Sequence, residues 1–406
     1  MSNQPRIEWQ EGGAGHSARW RSESGASPPR RVVLADDTLS ADAAYRLACE
    51  GTGLLWRGDF HNARQLLQAL ARRVDRKPRH KGGPQAKEAG ASTKPVPSPA
   101  EAFHLHRQAQ AQRARVLGMV LVPVAADYSV PLRRAPDLQA ACTEAWGAGT
   151  AQDGEASVVS LRELMGLVGA HEWRKKGVEI AALGGPGDNR IHPHYGVYSP
   201  VRGEYVQLVA QAPLASKALA FDIGAGTGVL SAVLAHRGVQ RVVATDQDPR
   251  ALACARDNLQ RLGLSGQVEV IQADLFPPET TYGRAPLIVC NPPWVPARAS
   301  SPIEHAVYDP DSRMLRGFLA GLAAHLTPGG EGWLILSDLA EHLGLRPREQ
   351  LLGWIEAAGL EVLGRLDIRP LHPKAADASD PLHAARAAEV TSLWRLGVRA
   401  PGAVPA

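Results

Sequence analysis

Residues 287–297 read LIVCNPPWVPA, an asparagine, two prolines and an indole set directly after a run of strand formers. Each proline lacks an N–H and has a fixed φ, so the chain neither continues a strand nor enters a helix interior there. The stretch is either a plain stop signal or a rigid unit that holds Asn291 and Trp294 in place. As a rigid unit it offers an amide oxygen, a carbonyl and a flat aromatic face, the groups needed to hold a planar nitrogen. Transfer to such a nitrogen needs that unit, whereas hydride transfer does not.

Three earlier strand ends carry related chemistry. The first ends in FDIGAGTG, where Gly224, Gly226 and Gly228 let the backbone turn tightly before a helix that begins near Val229. The spacing is GxGxG, not the GxGxxG of a dinucleotide turn, and a simple strand-to-helix turn is the bland alternative. The second ends in ATDQDP. There Asp246 is placed to accept from the two hydroxyls of a ribose, and Asp248, before Pro249, reads as a helix N-cap. The third ends in QADLF, where Asp274 is placed to accept from an exocyclic adenine amine. Together these ends describe a nucleoside-containing cofactor lying across the top of a sheet.

The elements that must position these residues follow from the pattern after residue 217. KALAFDIG, VQRVVATD, GQVEVIQAD, APLIVCN and EGWLILSD read as strands, with helical VLSAVLAHRG, PRALACARDNLQRLGL and DSRMLRGFLAGLAAHL between them. This alternation predicts an α/β, doubly wound, Rossmann-like parallel sheet with ligands at the carboxyl ends of its strands. LEVLGRLDIRP and AEVTSLWRLGV extend it to seven strands.

The set resembles the class I S-adenosylmethionine-dependent methyltransferases, and within them the amino- and amide-methylating branch marked by an Asn-Pro-Pro-aromatic motif. FDIGAGTG, VVATDQDP, QADLF and LIVCNPPW stand in the family's order and spacing. HYGVYSPVRGEYVQLVA, YDPDSRMLRGFLAGLAAHL and LTPGGEGWLIL further resemble the small-domain glutamine methyltransferases that act on release factors and a ribosomal protein. The resemblance covers about residues 194–340. It implies S-adenosyl-L-methionine as cofactor, with Arg202, Asp222, Gly224, Gly226 and Gly228 at its methionine end. It also implies Asp246 at the ribose, Asp274 and the Leu275 backbone at the adenine, and Asn291, Pro292, Pro293 and Trp294 at the acceptor. An N-methyltransferase follows, whose acceptor is a glutamine amide on a protein of the translation machinery. Those enzymes usually carry tyrosine where this chain has Trp294, and the larger ring also suits an adenine or guanine exocyclic amine in RNA. A non-catalytic cofactor-binding regulator is the reading from another class, and the intact NPPW argues against it.

The rest of the chain bounds the setting. Residues 1–35 are polar, Gly/Ser/Pro-rich and aperiodic and read as a disordered tail; residues 36–76 read as a helical hairpin and 77–100 as a flexible linker. Residues 101–185 are expected to form a partly helical substrate-recognition region ahead of the methyltransferase domain, 186–400. Of 406 residues 44% are hydrophobic, enough for a sizeable core. The net charge of +4 excludes a histone-like polycation, yet the first hundred residues hold 16 Lys and Arg against 10 Asp and Glu. Arg107, Arg113 and Arg115 spread over one predicted helix and read mainly as a solvated face. Four separated cysteines without a CxxC pair argue against a zinc knuckle or a disulfide framework. His192 and His194 lack a third ligand nearby, so no metal is expected. With no signal pattern and no long apolar run, the expected compartment is the cytoplasm, with a protein or RNA partner and no membrane.

Overall fold

The computed structural model describes residues 5–76, 97–148, 155–185, 187, 189–370 and 377–400. It divides into two compact units, Met1–Gly169 and Ala170–Ala406, rather than at residue 185. Of the expected linker, residues 77–96 lie outside the described part, and Pro99 already opens a helix capped by Ser98 and Glu101.

In the first unit the expected tail is three strands. β1 (Arg6–Glu11) and β2 (Ala14–Arg21) form a hairpin that puts Ile7 opposite Ala18, and β3 (Arg31–Ala35) follows. The turn, Gly12-Gly13, has φ of 61° and 82°, the left-handed pair that a two-residue hairpin loop needs. Ile7, Ala18 and Trp20 are buried in alternation with polar or charged neighbours, a period-two signal masked by the polar composition. The expected helical hairpin is likewise interrupted. β4 (Thr52–Trp56) is wholly buried between the helices Ala41–Cys49 and Phe60–Val74. A five-residue apolar run does not by itself distinguish a central strand from a helix turn, and parallel pairing with β3 and with β5 (Val120–Val124) decides it. β6 (Ser157–Ser160) completes a mixed sheet in the order β1-β2-β6-β5-β4-β3.

The second unit opens with a short ladder, β7 (Val178–Glu179) against β8 (Arg190–Ile191). Its main sheet comprises β9 (Leu219–Ile223), β10 (Arg241–Asp246), β11 (Val268–Gln272), β12 (Ala285–Cys290), β13 (Leu326–Ser337), β14 (Leu360–Ile368) and β15 (Thr391–Val398). The order is β11-β10-β9-β12-β13-β15-β14, seven strands in the expected Rossmann-like arrangement. β9 to β13 are parallel, as the strand-helix alternation implied, while β15, one of the two strands at the far edge, runs antiparallel to both neighbours. The order reverses between β9 and β12, so their carboxyl ends flank the switch-point crevice.

Strand alternation gives the sheet two apolar faces. Leu287, Val289, Trp333 and Ile335 enter one core with residues of the helices Glu204–Gln211, Val229–His236 and Pro249–Arg261. Phe221, Ile288, Cys290 and Leu334 enter the other with residues of the helices Arg313–His325 and Arg348–Ala357. Cys290 is therefore a buried strand residue, and burial pushes its thiol pKa well up.

Candidate active site

At the end of β9 the chain turns through Gly224, Gly226 and Gly228, with φ of 75°, 55° and 78°. A side chain is strained in this left-handed region, so the turn depends on glycine. The N–H groups of Gly224 and Ala225 both donate to the Thr245 carbonyl at 2.9 Å, tying the turn to β10. A Cβ on Gly228 would stand 3.2 Å from the Cα of Ala255, so this glycine also permits close packing of two helices. Asp222, 1% exposed, accepts from the Ser231 hydroxyl at 2.6 Å and pins the first turn of the following helix to β9. Burial raises its pKa to about 6 against the hydrogen bond's opposing effect.

Asp246 ends β10. One carboxylate oxygen accepts from the Gly226 N–H and the other from the Asp248 N–H, both at 3.0 Å. Burial raises its pKa, and these backbone donors oppose the rise. Asp248 caps the next helix as expected, accepting from the Arg250 N–H at 2.9 Å. After β11, Leu275 holds a φ of 74°, and its carbonyl accepts from the Thr245 hydroxyl at 2.5 Å. Asp274 is exposed and pairs with Arg313 at 3.0 Å.

β12 delivers Asn291-Pro292-Pro293-Trp294. The Asn291 Oδ1 accepts from the Trp294 Nε1–H at 2.9 Å. Beyond the motif, Val295 pairs with the segment before Asp309, so residues 296–306 form a loop closed at its base. Asp309 accepts from the Met314 and Leu315 N–H groups at 2.9 and 3.3 Å, capping the helix Arg313–His325.

These strand ends enclose a cavity of about 390 Å³. Of the expected residues, Gly224, Gly226, Asp246, Asp274, Leu275, Asn291 and Pro293 line it. Asp222 and Gly228 support the turn from behind. Pro292 is buried, and Trp294 does not line the cavity. Arg202, expected at the methionine end of a cofactor, lies over the Trp294 ring at 5.3 Å and pairs with buried Glu389 at 3.0 Å. The wall also includes Tyr205, Thr245, His305, Arg313 and Met314, which motif reading passed over. Thr245 adjoins Asp246 in sequence, and Arg313 and Met314 sit inside YDPDSRMLRG, so their signals were present. His305 has none, because only closure of its loop brings it to the cavity.

Residues 189–347 match the family model of the methyltransferase small domain, so the resemblance carried by the motifs holds over that stretch. The chain is 36% identical over 146 residues to a ribosomal protein L11 methyltransferase of Pelotomaculum thermopropionicum, covering 36% of this chain and 39% of that protein. It is 32% identical to a release factor glutamine methyltransferase of Cereibacter sphaeroides, covering 37% of this chain and 57% of the relative. It is also 33% identical to a tRNA1(Val) (adenine(37)-N6)-methyltransferase of Shewanella loihica, covering 34% and 60%. The matches thus span less than two thirds of each of these relatives.

Proposed function

We propose that the C-terminal unit transfers a methyl group from S-adenosyl-L-methionine to a planar amide or amine nitrogen. The observation that carries this is the meeting, around one cavity, of the glycine turn, the Asp246 carboxylate and Asn291 of the NPPW unit. The cavity suits a nucleoside cofactor: a Cβ at Gly226 would meet only open space, and each Asp246 oxygen keeps a lone pair beyond its backbone bond for a ribose hydroxyl. When bound, that cofactor supplies an electrophilic sulfonium methyl. Asp246 orients the ribose, and Asp222 acts through the turn that it braces.

On the acceptor side the task is positioning. An amide or aromatic amine has a delocalised lone pair and is a poor nucleophile. Asn291 Oδ1 and the Pro292 carbonyl each accept one of its N–H bonds, turning the lone pair toward the methyl group; as the N–CH₃ bond replaces the S–CH₃ bond, S-adenosylhomocysteine is the leaving group and the surplus N–H proton passes to water, without an obligatory general base. The leading acceptor is a protein glutamine side chain of the translation machinery, in line with the release-factor relative. The second reading, an exocyclic amine of RNA, is favoured by the tRNA-modifying relative and by the basic excess of the first hundred residues.

Incubation with methyl-labelled cofactor and extract from cells lacking the protein separates the two. Label that resists ribonuclease but not protease identifies a protein acceptor; the reverse identifies RNA. Asn291→Ala is expected to abolish transfer while S-adenosylhomocysteine still binds, and Asp246→Ala to weaken that binding about tenfold or more. Full activity in the Asn291 variant would sink the proposal.

A further inference from the structure

Trp294 is the aromatic residue of the motif, but its contacts suggest a task other than stacking on an acceptor. Its Nε1–H donates to Asn291 Oδ1 at 2.9 Å, while Asn291 and Pro293, not Trp294, line the cavity. The Arg202 guanidinium lies over its ring, 5.3 Å from the centroid. Arg202 is held by Glu389, 3% exposed, which also accepts from the Ser337 hydroxyl at the end of β13 at 2.7 Å. The Trp294 carbonyl is held separately: Arg346, itself 2% exposed, donates to it at 3.2 Å and to the Ser312 hydroxyl at 3.3 Å. The ring and main chain of Trp294 are therefore fixed by two different arginines, neither of its own element.

Resting on the methyl-transfer reading above, we propose that Trp294 is a positioning residue whose indole N–H holds the Asn291 amide in its productive orientation, with Arg202 and Glu389 bracing the indole. An indole nitrogen only donates, so the Asn291 atom facing it must be the oxygen. An amide flip would set an NH₂ group against the N–H and forfeit the hydrogen bond. The bond uses one lone pair of Oδ1. The other, together with the Pro292 carbonyl, receives the acceptor's two N–H bonds. Neither phenylalanine nor tyrosine reproduces a donor at the indole position, so an aromatic ring alone does not replace Trp294.

The test removes the N–H and keeps the shape. Trp294 is replaced by 3-benzothienylalanine through codon suppression, and the substituted chain is compared with the intact protein using labelled cofactor and the acceptor found in the extract. Expected is a fall in kcat of about tenfold with S-adenosylhomocysteine affinity changed by less than about twofold. An unchanged kcat, or cofactor affinity falling in step with it, overturns the proposal. The contact has its own readout in the indole N–H resonance that disappears in Trp294→Phe. In the intact protein this proton should exchange slowly with solvent, and in Asn291→Leu it should shift upfield and exchange faster. A resonance indifferent to Asn291→Leu overturns the proposal as well. A wild-type chain that labels nothing in any extract would instead overturn the methyl-transfer reading, and the indole resonance would then decide the contact by itself.

Discussion

Asp222 shows how burial and hydrogen bonding pull one carboxylate in opposite directions. Enclosed beneath the glycine turn, with the Ser231 hydroxyl as its hydrogen-bond partner, it titrates near 6 instead of near the ordinary aspartate value of 3.8. A carboxyl raised in the folded state contributes stability that is complete below the unfolded pKa and is lost as pH rises through the folded one. The window for Asp222 is thus about pH 4 to 6, and the loss across it is about 3 kcal/mol. Burial of Asp246 acts in the same direction. Urea unfolding at about pH 4, where that contribution is nearly whole, and at about pH 7, where it is gone, should show wild type losing more stability than Asp222→Asn. Equal losses would refute the titration. Ser231→Ala removes the donor and should destabilise the protein by about 1–3 kcal/mol at neutral pH, where the charge is left buried without its partner.

At the scale of elements, the site depends on helices approaching closely enough to set strand ends at the right height. The helices Val229–His236 and Pro249–Arg261 meet where Gly228 faces Ala255, with only 3.2 Å available to an added Cβ and a φ of 78°. Gly228→Ala therefore combines backbone strain with a packing conflict. A loss of about 1–3 kcal/mol is expected, read as a lower urea midpoint with an unchanged denaturant slope. The same element logic explains why the strands of the first unit leave a weak trace in its sequence. Ile7 and Trp20 alternate with charged residues around Gly12-Gly13, so the hairpin was written in the sequence but hidden by its polar outer face. The Thr52–Trp56 run carried no such alternation, because a strand buried on both faces has none.

Across the whole molecule, each of the two units builds its own sheet and its own apolar clusters. Ile7, Trp20, Leu55 and Leu121 belong to one unit, whereas the two large clusters on the faces of the seven-stranded sheet belong to the other. Independent cores predict two calorimetric transitions rather than one. S-adenosylhomocysteine at about a hundred times its dissociation constant should raise the transition of the C-terminal unit alone, by about 2.7 kcal/mol of stabilisation. A single transition, or both moving together, would refute independent unfolding.

The C-terminal unit was legible because its information is local. Short apolar runs bounded by turns, glycine turns with left-handed φ and acidic strand ends each declare themselves within a few residues, and their order along the chain dictates the sheet. The sequence by itself thus determined the strand ends, the GxGxG turn, Asp246 and the NPPW unit. Only the tertiary structure decided which of these face the cavity and which stand behind it. Arg202 and Glu389 are 187 residues apart, and no spacing rule pairs them or sets them over Trp294. The reversed direction of β15 and the approach of His305 to the cavity were equally invisible, because both depend on where the chain returns after a long excursion. Contacts made by chain return obey packing and hydrogen-bond satisfaction in three dimensions, and no short stretch of residues records them.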